Sequence, residues 1–333
     1  MLDKGVPSTV AMEPAQPCGV GLSPRVSMAV QSTDPPIRLP VELLLLGVVG
    51  FLWGAQFGFT KIQLETLPPV TGVAIRLTIA AVFMWAIVVA QGARVPAGLR
   101  TWRDFTIQGV LTSAGPGVLI AWGQQYVDSA LAAILNSTSP IVVTIITLLY
   151  TRQESIGPKR FLGLAVGLFG VITVIGFSAL DGLGRGFAGQ LVIMSATFGY
   201  ATATLFGRRF TNISPVAAAA ATITCSAALM TVLAFAVERP LAIDPSARSM
   251  LATAASGILC NGLGVTIYFR LIRTLGSLGT STVSFLKAAF GVTIGCFLLG
   301  EPFTASIAIG LTAVLIGVAA VNEPGASRGP ARG

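Results

Sequence analysis

The sequence contains no histidine, and only 10% of its 333 residues carry a charged side chain. A soluble domain carries roughly 25% charged residues, so this chain has too few to cover a water-facing surface. Hydrophobic residues make up 53% of the chain, and the mean hydropathy is +0.82. The composition therefore predicts a protein that crosses the membrane several times.

Acidic residues are also missing from the middle of the apolar segments. Glu42, Glu65, Asp128, Asp181 and Glu301 all fall near segment ends. Acid–base catalysis and metal binding depend on histidine and carboxylate side chains, so we predict no enzyme activity, no cofactor and no metal site. Exporters of lipophilic cations commonly use a buried carboxylate, and its absence favours an anionic or neutral polar solute.

The cysteines and the basic residues point to no further ligand. Cys18, Cys225, Cys260 and Cys296 lack metal-binding spacing, and the last three lie in apolar segments, so no disulfide framework is expected. The basic residues are scattered between apolar segments and form no face for nucleic acid, although the pI is about 9.9. The expected partners are the lipid bilayer and a small-molecule substrate, and a homodimer stays open.

Apolar segments of about 20 residues, the length of a helix that crosses a ~30 Å hydrocarbon core, recur along the chain. The third is the weakest, because glycines and Pro116 dilute it. The ten predicted transmembrane helices are 41–60, 69–91, 106–125, 130–150, 161–179, 187–206, 214–237, 250–269, 279–300 and 304–322.

The residues outside these segments set the expected topology. Residues 1–40 contain seven prolines and no signal-peptide pattern, so we expect a disordered tail, with Met28 as a second possible start. With this tail in the cytoplasm, fifteen of the 21 basic residues lie on the cytoplasmic side and four on the other, while Arg76 and Lys287 lie within segments. This bias predicts an inner-membrane protein with both termini cytoplasmic, the second tail being 323–333.

An internal repeat divides the membrane region into 41–180 and 187–322. GLAVGLFGVITVI at 163–175 and GLTAVLIGVAAVN at 310–322 share six of thirteen residues at an offset of 147. Pro69 overlays Pro215 at an offset of 146. Each half holds five helices, an odd number, so the halves enter the membrane in opposite orientations. Such inverted repeats are typical of secondary transporters, whose site lies near the midplane between the repeats.

The segment FLWGAQFGFTKIQLETLPPVTGVAIRL resembles the opening of EamA-type transporters of the drug/metabolite transporter superfamily. DSALAAILNSTSP, GLAVGLFGVI, FRLIRTLGSLGTSTVSFL and LLGEPFT resemble later landmarks, so the resemblance covers residues 41–322. It implies ten helices in two inverted repeats around a central cavity, and efflux or uptake of small metabolites. The chain departs from the family pattern at Ala288, where proline is usual, and at Gln153 or Glu154, where Gly-Glu is usual.

The candidate substrate site consists of polar and aromatic residues on helices that the resemblance places around the cavity. Asn136 and Ser139 share a helix face, as do Ser284 and Lys287, and an offset of 148 overlays the two pairs. Trp122 and Tyr268 are alternatively interfacial-belt residues, and any single member could instead bridge helices. The predicted set is Trp53, Gln56, Trp122, Gln125, Asn136, Ser139, Tyr200, Thr204, Asn261, Tyr268, Ser284 and Lys287.

These features predict secondary transport by alternating access, with export of an amino acid or related carboxylate-bearing compound preferred. Lys287 would pair with the carboxylate, and Trp53 and Tyr200 would shape the cavity. The residues predicted to hydrogen-bond the substrate are Asn136, Gln56, Asn261 and Ser284. Lys287 could instead extend to the interface, and Arg76 could either attract anions or pin neighbouring helices. The alternatives are uptake or flipping of a neutral solute with Lys287 structural, and a non-transporting membrane scaffold or sensor.

Overall fold

The computed structural model describes residues 39–137, 185–281 and 283–322, with isolated positions 139, 142, 162–163, 165–167, 169–170 and 173. Every regular element in these ranges is helical. The α-helices are α1 (Leu39–Gln63), α2 (Pro69–Gln91), α3 (Leu99–Gly109), α4 (Gly115–Gly123), α5 (Ser129–Asn136), α6 (Arg185–Phe206), α7 (Pro215–Val237), α8 (Ala247–Ala255), α9 (Gly264–Ser281), α10 (Val283–Leu298) and α11 (Ala305–Asn322). Val110–Ala114 forms a first π segment and Ser256–Leu263 a second, and Gly207–Phe210 and Pro240–Ala242 are short 3₁₀ turns.

Eight of the ten predicted membrane segments coincide with described helices. The third is the continuous unit of α3, the first π segment and α4, and the eighth is α8, the second π segment and α9. The fourth is described mainly through α5, and most of the fifth, 161–179, lies outside the described residues. The prediction of an all-α membrane protein with two repeats is confirmed. Five described units are long and apolar enough to cross a membrane: Leu39–Gln63, Pro69–Gln91, Leu99–Gly123, Pro215–Val237 and Ala247–Gly276.

Proline and glycine set several of the helix ends. Pro69 and Pro215 each occupy the first turn of their helices, where a missing N–H leaves no hydrogen bond unmade. Gly92 ends α2 at φ 60°, a left-handed conformation that glycine adopts without strain. Gly276, at φ 72°, breaks the end of α9, so the ninth membrane segment effectively begins after it.

The helix contacts follow the symmetry of the repeat. Helix α1 packs against α10 and against the unit of α8 and α9, while its repeat counterpart α6 packs against α5 and the unit of α3 and α4. Helices α2 and α7, which the repeat relates to each other, pack directly together, and so do α5 and α10. An approximate two-fold axis therefore passes between the repeats and through both of these pairs.

Small residues let the central helices approach closely. Five consecutive alanines of α7, Ala217 to Ala221, are fully buried, and the last four belong to an apolar cluster that also contains Val73 and Leu77 of α2. Gly54 on α1 faces α10 so tightly that a Cβ atom there would lie 2.9 Å from the Lys287 carbonyl oxygen. Such contacts are the usual source of helix association in membranes. The close contact between α1 and α10 places Lys287 in the protein interior.

Candidate functional site

A small polar cavity lies between helices of both repeats. Its volume is ≈ 20 Å³, which holds about one water. The lining residues are Trp53, Gln56, Phe57, Thr60, Thr112, Ser113, Ile120, Asn136, Tyr200, Asn261, Val265 and Lys287.

Lys287 and Asn136 meet in this cavity from α10 and α5. The Lys287 ammonium donates a hydrogen bond to the Asn136 side-chain oxygen, and both side chains are buried. The ammonium also lies 4.9 Å from the centre of the Tyr200 ring, within the range of a cation–π interaction. Lys287 therefore extends into the cavity and not to the membrane interface. Asn136 Nδ2 has no hydrogen-bond partner among the described residues.

Trp53, Tyr268 and Thr204 form a hydrogen-bonded layer at one side of the cavity. The Trp53 indole N–H donates to the Cys260 carbonyl at 3.0 Å, within the second π segment. The Trp53 and Tyr268 ring centroids are 5.4 Å apart, and the Tyr268 hydroxyl donates to Thr204 Oγ1 at 3.2 Å. Tyr268 is buried, so it is not an interfacial-belt residue. Tyr268 and Thr204 support the cavity wall from behind.

The two π segments occupy matching positions in the two repeats. The Gly115 N–H donates to the Val110 carbonyl, and the Gly264 N–H donates to the Leu259 carbonyl. Each acceptor lies one residue further back than in an α-helix, and the second bond follows the first at an offset of 149 residues. In the first repeat Pro116 has no N–H for the α-helical bond, which favours the wider turn. The π segments contribute Thr112, Ser113 and Asn261 to the cavity, and π turns in helices are often found at functional sites.

Six of the twelve predicted site residues line the cavity together: Trp53, Gln56, Asn136, Tyr200, Asn261 and Lys287. Ser139 and Ser284 are buried on the same helices but stand outside the lining, with Ser139 Oγ donating to the Asn136 carbonyl at 3.1 Å.

Trp122 and Gln125 are exposed, and neither lines the cavity. Helix α4 ends at Gly123, two residues before the predicted end of the third segment, so Gln125 lies in the turn that follows the helix. Gln124 is the buried glutamine, and its side-chain nitrogen donates to the Phe57 carbonyl at 3.0 Å. Trp122 packs against Tyr126, with ring centroids 5.0 Å apart.

The lining residues that the sequence did not predict are Phe57, Thr60, Thr112, Ser113, Ile120 and Val265. Thr60 follows Gln56 by one helical turn, so the spacing could have indicated it. Thr112 and Ser113 precede Gly115 and Pro116, and a proline in an apolar segment could have indicated a distorted helix there. The three apolar residues carry no such signal.

Arg76 lies directly behind the cavity wall. Its side chain is 1% exposed, and Nη1 donates to Thr60 Oγ1 over a long 3.4 Å. Gly117 makes room for the guanidinium, since a Cβ atom at that position would lie 3.0 Å from Nη2. Arg76 Nε has no hydrogen-bond partner among the described residues. Arg76 is thus a second buried cation beside the cavity, joined to it through Thr60.

The described carboxylates lie away from the cavity. Glu42, at the start of α1, accepts hydrogen bonds from Arg270 at 2.8 Å and from Thr274 at 3.0 Å. Glu238 accepts the Thr71 N–H at 2.7 Å, and Glu301 accepts the Ser129 N–H at 2.8 Å. These acids stabilise helix ends, and none of the described carboxylates contributes to the cavity lining.

Paired helical repeats around a polar cavity are typical of membrane transporters of the inverted-repeat type. The model of the EamA-like transporter family matches residues 41–176 and 187–322, which is most of the chain. The chain therefore belongs to the EamA-like transporter family. It is a multi-pass membrane transporter and not an enzyme.

Several relatives agree with this assignment, and a solved structure shares the fold. The chain is 22% identical to the uncharacterized transporter YoaV of Bacillus subtilis, over 83% of this chain and 95% of that protein. It is 25% identical to the uncharacterized inner membrane transporter YedA of Escherichia coli, over 75% and 80% respectively. Protein PagO of Salmonella typhimurium is 23% identical over 84% and 92%. One crystal structure matches with a TM-score of 0.64 at 19% identity, covering 85% of this chain and 96% of the other.

Proposed function

We propose that the protein exports a small carboxylate-bearing metabolite, an amino acid or a related compound, across the inner membrane by alternating access. The repeats 41–180 and 187–322 move relative to each other around the cavity, and both termini lie in the cytoplasm. The observation that carries the proposal is the buried pair of Lys287 and Asn136 in a polar cavity that both repeats build. A lysine that is expensive to bury in a membrane needs a polar partner there.

The substrate carboxylate takes the place of the Asn136 oxygen as the acceptor for Lys287. The Lys287 ammonium is charged with either acceptor, but only a carboxylate adds the attraction of an opposite charge to the hydrogen bond. Asn136 Nδ2, which has no partner among the described residues, then donates to the same carboxylate. Both helices of the pair thus hold the substrate at once.

Access to this pair requires the helices to separate. Because the cavity has room for about one water, a metabolite of several heavy atoms enters only when one end of the bundle opens. In this proposal, opening at the cytoplasmic end admits the cargo. The excess of basic residues on the segments assigned to the cytoplasm supports a topology in which both termini lie on that side.

Efflux from reconstituted vesicles tests the proposal. Vesicles that contain the purified protein are loaded with a mixture of amino acids and small carboxylic acids, and each released compound is measured by mass spectrometry. Lys287→Met should abolish release of the transported carboxylate, while Lys287→Arg should retain part of it. The control Arg248→Met removes a cation whose side chain is 67% exposed and should leave release unchanged.

Three outcomes contradict different parts of the proposal. Equal release by Lys287→Met and the unmodified protein would remove the binding role of Lys287. Release of neutral solutes alone would assign Lys287 a structural role. An absence of flux for every compound in either direction would favour a membrane scaffold or sensor.

A further inference from the structure

The cavity and its wall contain two buried cations. Lys287 lines the cavity, and Arg76 lies one side chain away, behind Thr60. Neither forms an ion pair with a carboxylate of the described residues. Buried charges in proteins are normally paired, so this part of the membrane interior has an excess of positive charge that a ligand can neutralise.

The free hydrogen-bonding groups around the cavity are mostly donors. Lys287 uses one of its three donors on Asn136, and Asn136 Nδ2 and Arg76 Nε have no partner among the described residues. Asn261 Oδ1 is a buried acceptor without a partner among the described residues, Ser113 Oγ can act as either, and the Gln56 amide also lines the cavity with both a donor and an acceptor. This inventory fits a ligand that is rich in acceptor atoms.

A ligand ammonium group finds little to bind in the same cavity. The face of Tyr200 is occupied by the Lys287 ammonium, and Trp53 packs against Tyr268 with its N–H already bonded to Cys260. No described carboxylate lines the cavity, and two like charges nearby repel a third cation strongly at low dielectric. The electrostatics therefore disfavour a zwitterion relative to a ligand with net negative charge.

We propose that the substrate is a small dicarboxylate, with one carboxylate held by Lys287 and Asn136 and the other by Arg76. The proposal rests on the proposed function and narrows its substrate class to compounds without an ammonium group. The hydrogen bond from Arg76 to Thr60 is long, and it breaks when the helices move apart. The Arg76 guanidinium then offers two parallel donors to a carboxylate. Arg76 thereby sets specificity, while Lys287 binds the carboxylate that all candidate substrates share.

The preference for a dicarboxylate is tested by measuring the affinity of the purified protein in lipid nanodiscs, at pH 7.5, for three compounds of similar size. Succinate carries two negative charges, propionate carries one, and alanine is zwitterionic. We expect succinate to bind at least about tenfold more tightly than either of the others, because only succinate meets both cations. Arg76→Gln should reduce succinate affinity to that of propionate, whereas Arg76→Lys should restore part of the difference. Thermal unfolding of each variant shows that it is folded.

The outcomes separate the inference from the proposed function. Alanine bound as tightly as succinate would overturn the dicarboxylate assignment and leave carboxylate transport intact. Binding of none of the three compounds would also overturn it. Efflux of neutral solutes alone from vesicles would overturn both proposals. If Arg76→Gln does not fold, the order of the three affinities in the unmodified protein decides the question.

Discussion

The Lys287 ammonium donates a hydrogen bond to the side-chain oxygen of Asn136 between two helices that the internal repeat relates to each other. Lys287 overlays Ser139 in the repeat and lies on the α10 face that meets α5. The two-fold arrangement therefore brings a cation and an amide together at the contact between the repeats.

Replacing the pair with apolar residues should separate stability from transport. Lys287→Met combined with Asn136→Leu removes two buried polar groups, and such exchanges are often neutral or stabilising by about 1–4 kcal/mol. We expect an unchanged or higher unfolding temperature in detergent together with complete loss of efflux. Asn136→Leu alone should be less stable than the double variant, because it leaves the Lys287 ammonium without its partner. A double variant that unfolds well below the unmodified protein would show that the pair is mainly structural.

The contact between α1 and α10 should tolerate no added atom at Gly54. A Cβ atom there would lie 2.7 Å from Phe290 Cβ and 2.9 Å from the Lys287 carbonyl, so Gly54→Ala forces the helices apart and should destabilise the protein by about 1–3 kcal/mol. Gly47→Ala is the matched control, because nothing lies within 4 Å of a Cβ at that position of the same helix. The control should unfold at the same temperature or slightly higher, because alanine favours helix by up to about 1 kcal/mol. Equal stability of the two variants in thermal unfolding would contradict the tight contact.

The first π segment should depend on Pro116. Pro116→Ala restores an N–H, so an α-helical bond becomes available and Thr112 and Ser113 rotate relative to the cavity. We expect efflux to fall severalfold while thermal stability stays equal or rises, because proline in a helix interior is about 3 kcal/mol less favourable than alanine. Pro240→Ala, in a short 3₁₀ turn outside the cavity, controls for proline removal. Unchanged efflux by Pro116→Ala would show that the wider turn has no part in transport.

The main features of the fold could be derived from the sequence, and so could the presence of six of the twelve predicted residues in one cavity. The apolar segments and the repeat offset depend only on residue type and spacing, and the same offset relates the helices that carry Asn136 and Lys287. Gln125 is placed in the cavity set on a segment predicted to be helical up to that residue. Helix α4 instead ends at Gly123, and the following turn buries Gln124.

The remaining differences come from contacts between distant parts of the chain. Thr112 reaches the cavity through a π turn, which a uniform period of 3.6 residues cannot represent. The burial of Tyr268 depends on its contacts with Trp53 and Thr204 from other helices. Such contacts leave no local pattern in the sequence.

Glu301 should stabilise the start of α5 and thereby the position of Asn136. Its carboxylate accepts the backbone N–H groups of Ser129 and Ala130 at 2.8 and 2.9 Å and the Ser129 hydroxyl at 2.7 Å. These donors are otherwise unsatisfied at a helix N-terminus, and loss of such a cap costs about 0.5–2 kcal/mol. Glu301→Ala should therefore lower the unfolding temperature measurably, whereas Glu65→Ala should have almost no effect, because its 3.5 Å pair with Arg248 is exposed. Equal unfolding temperatures for the two variants would mean that solvent replaces the Glu301 cap without loss.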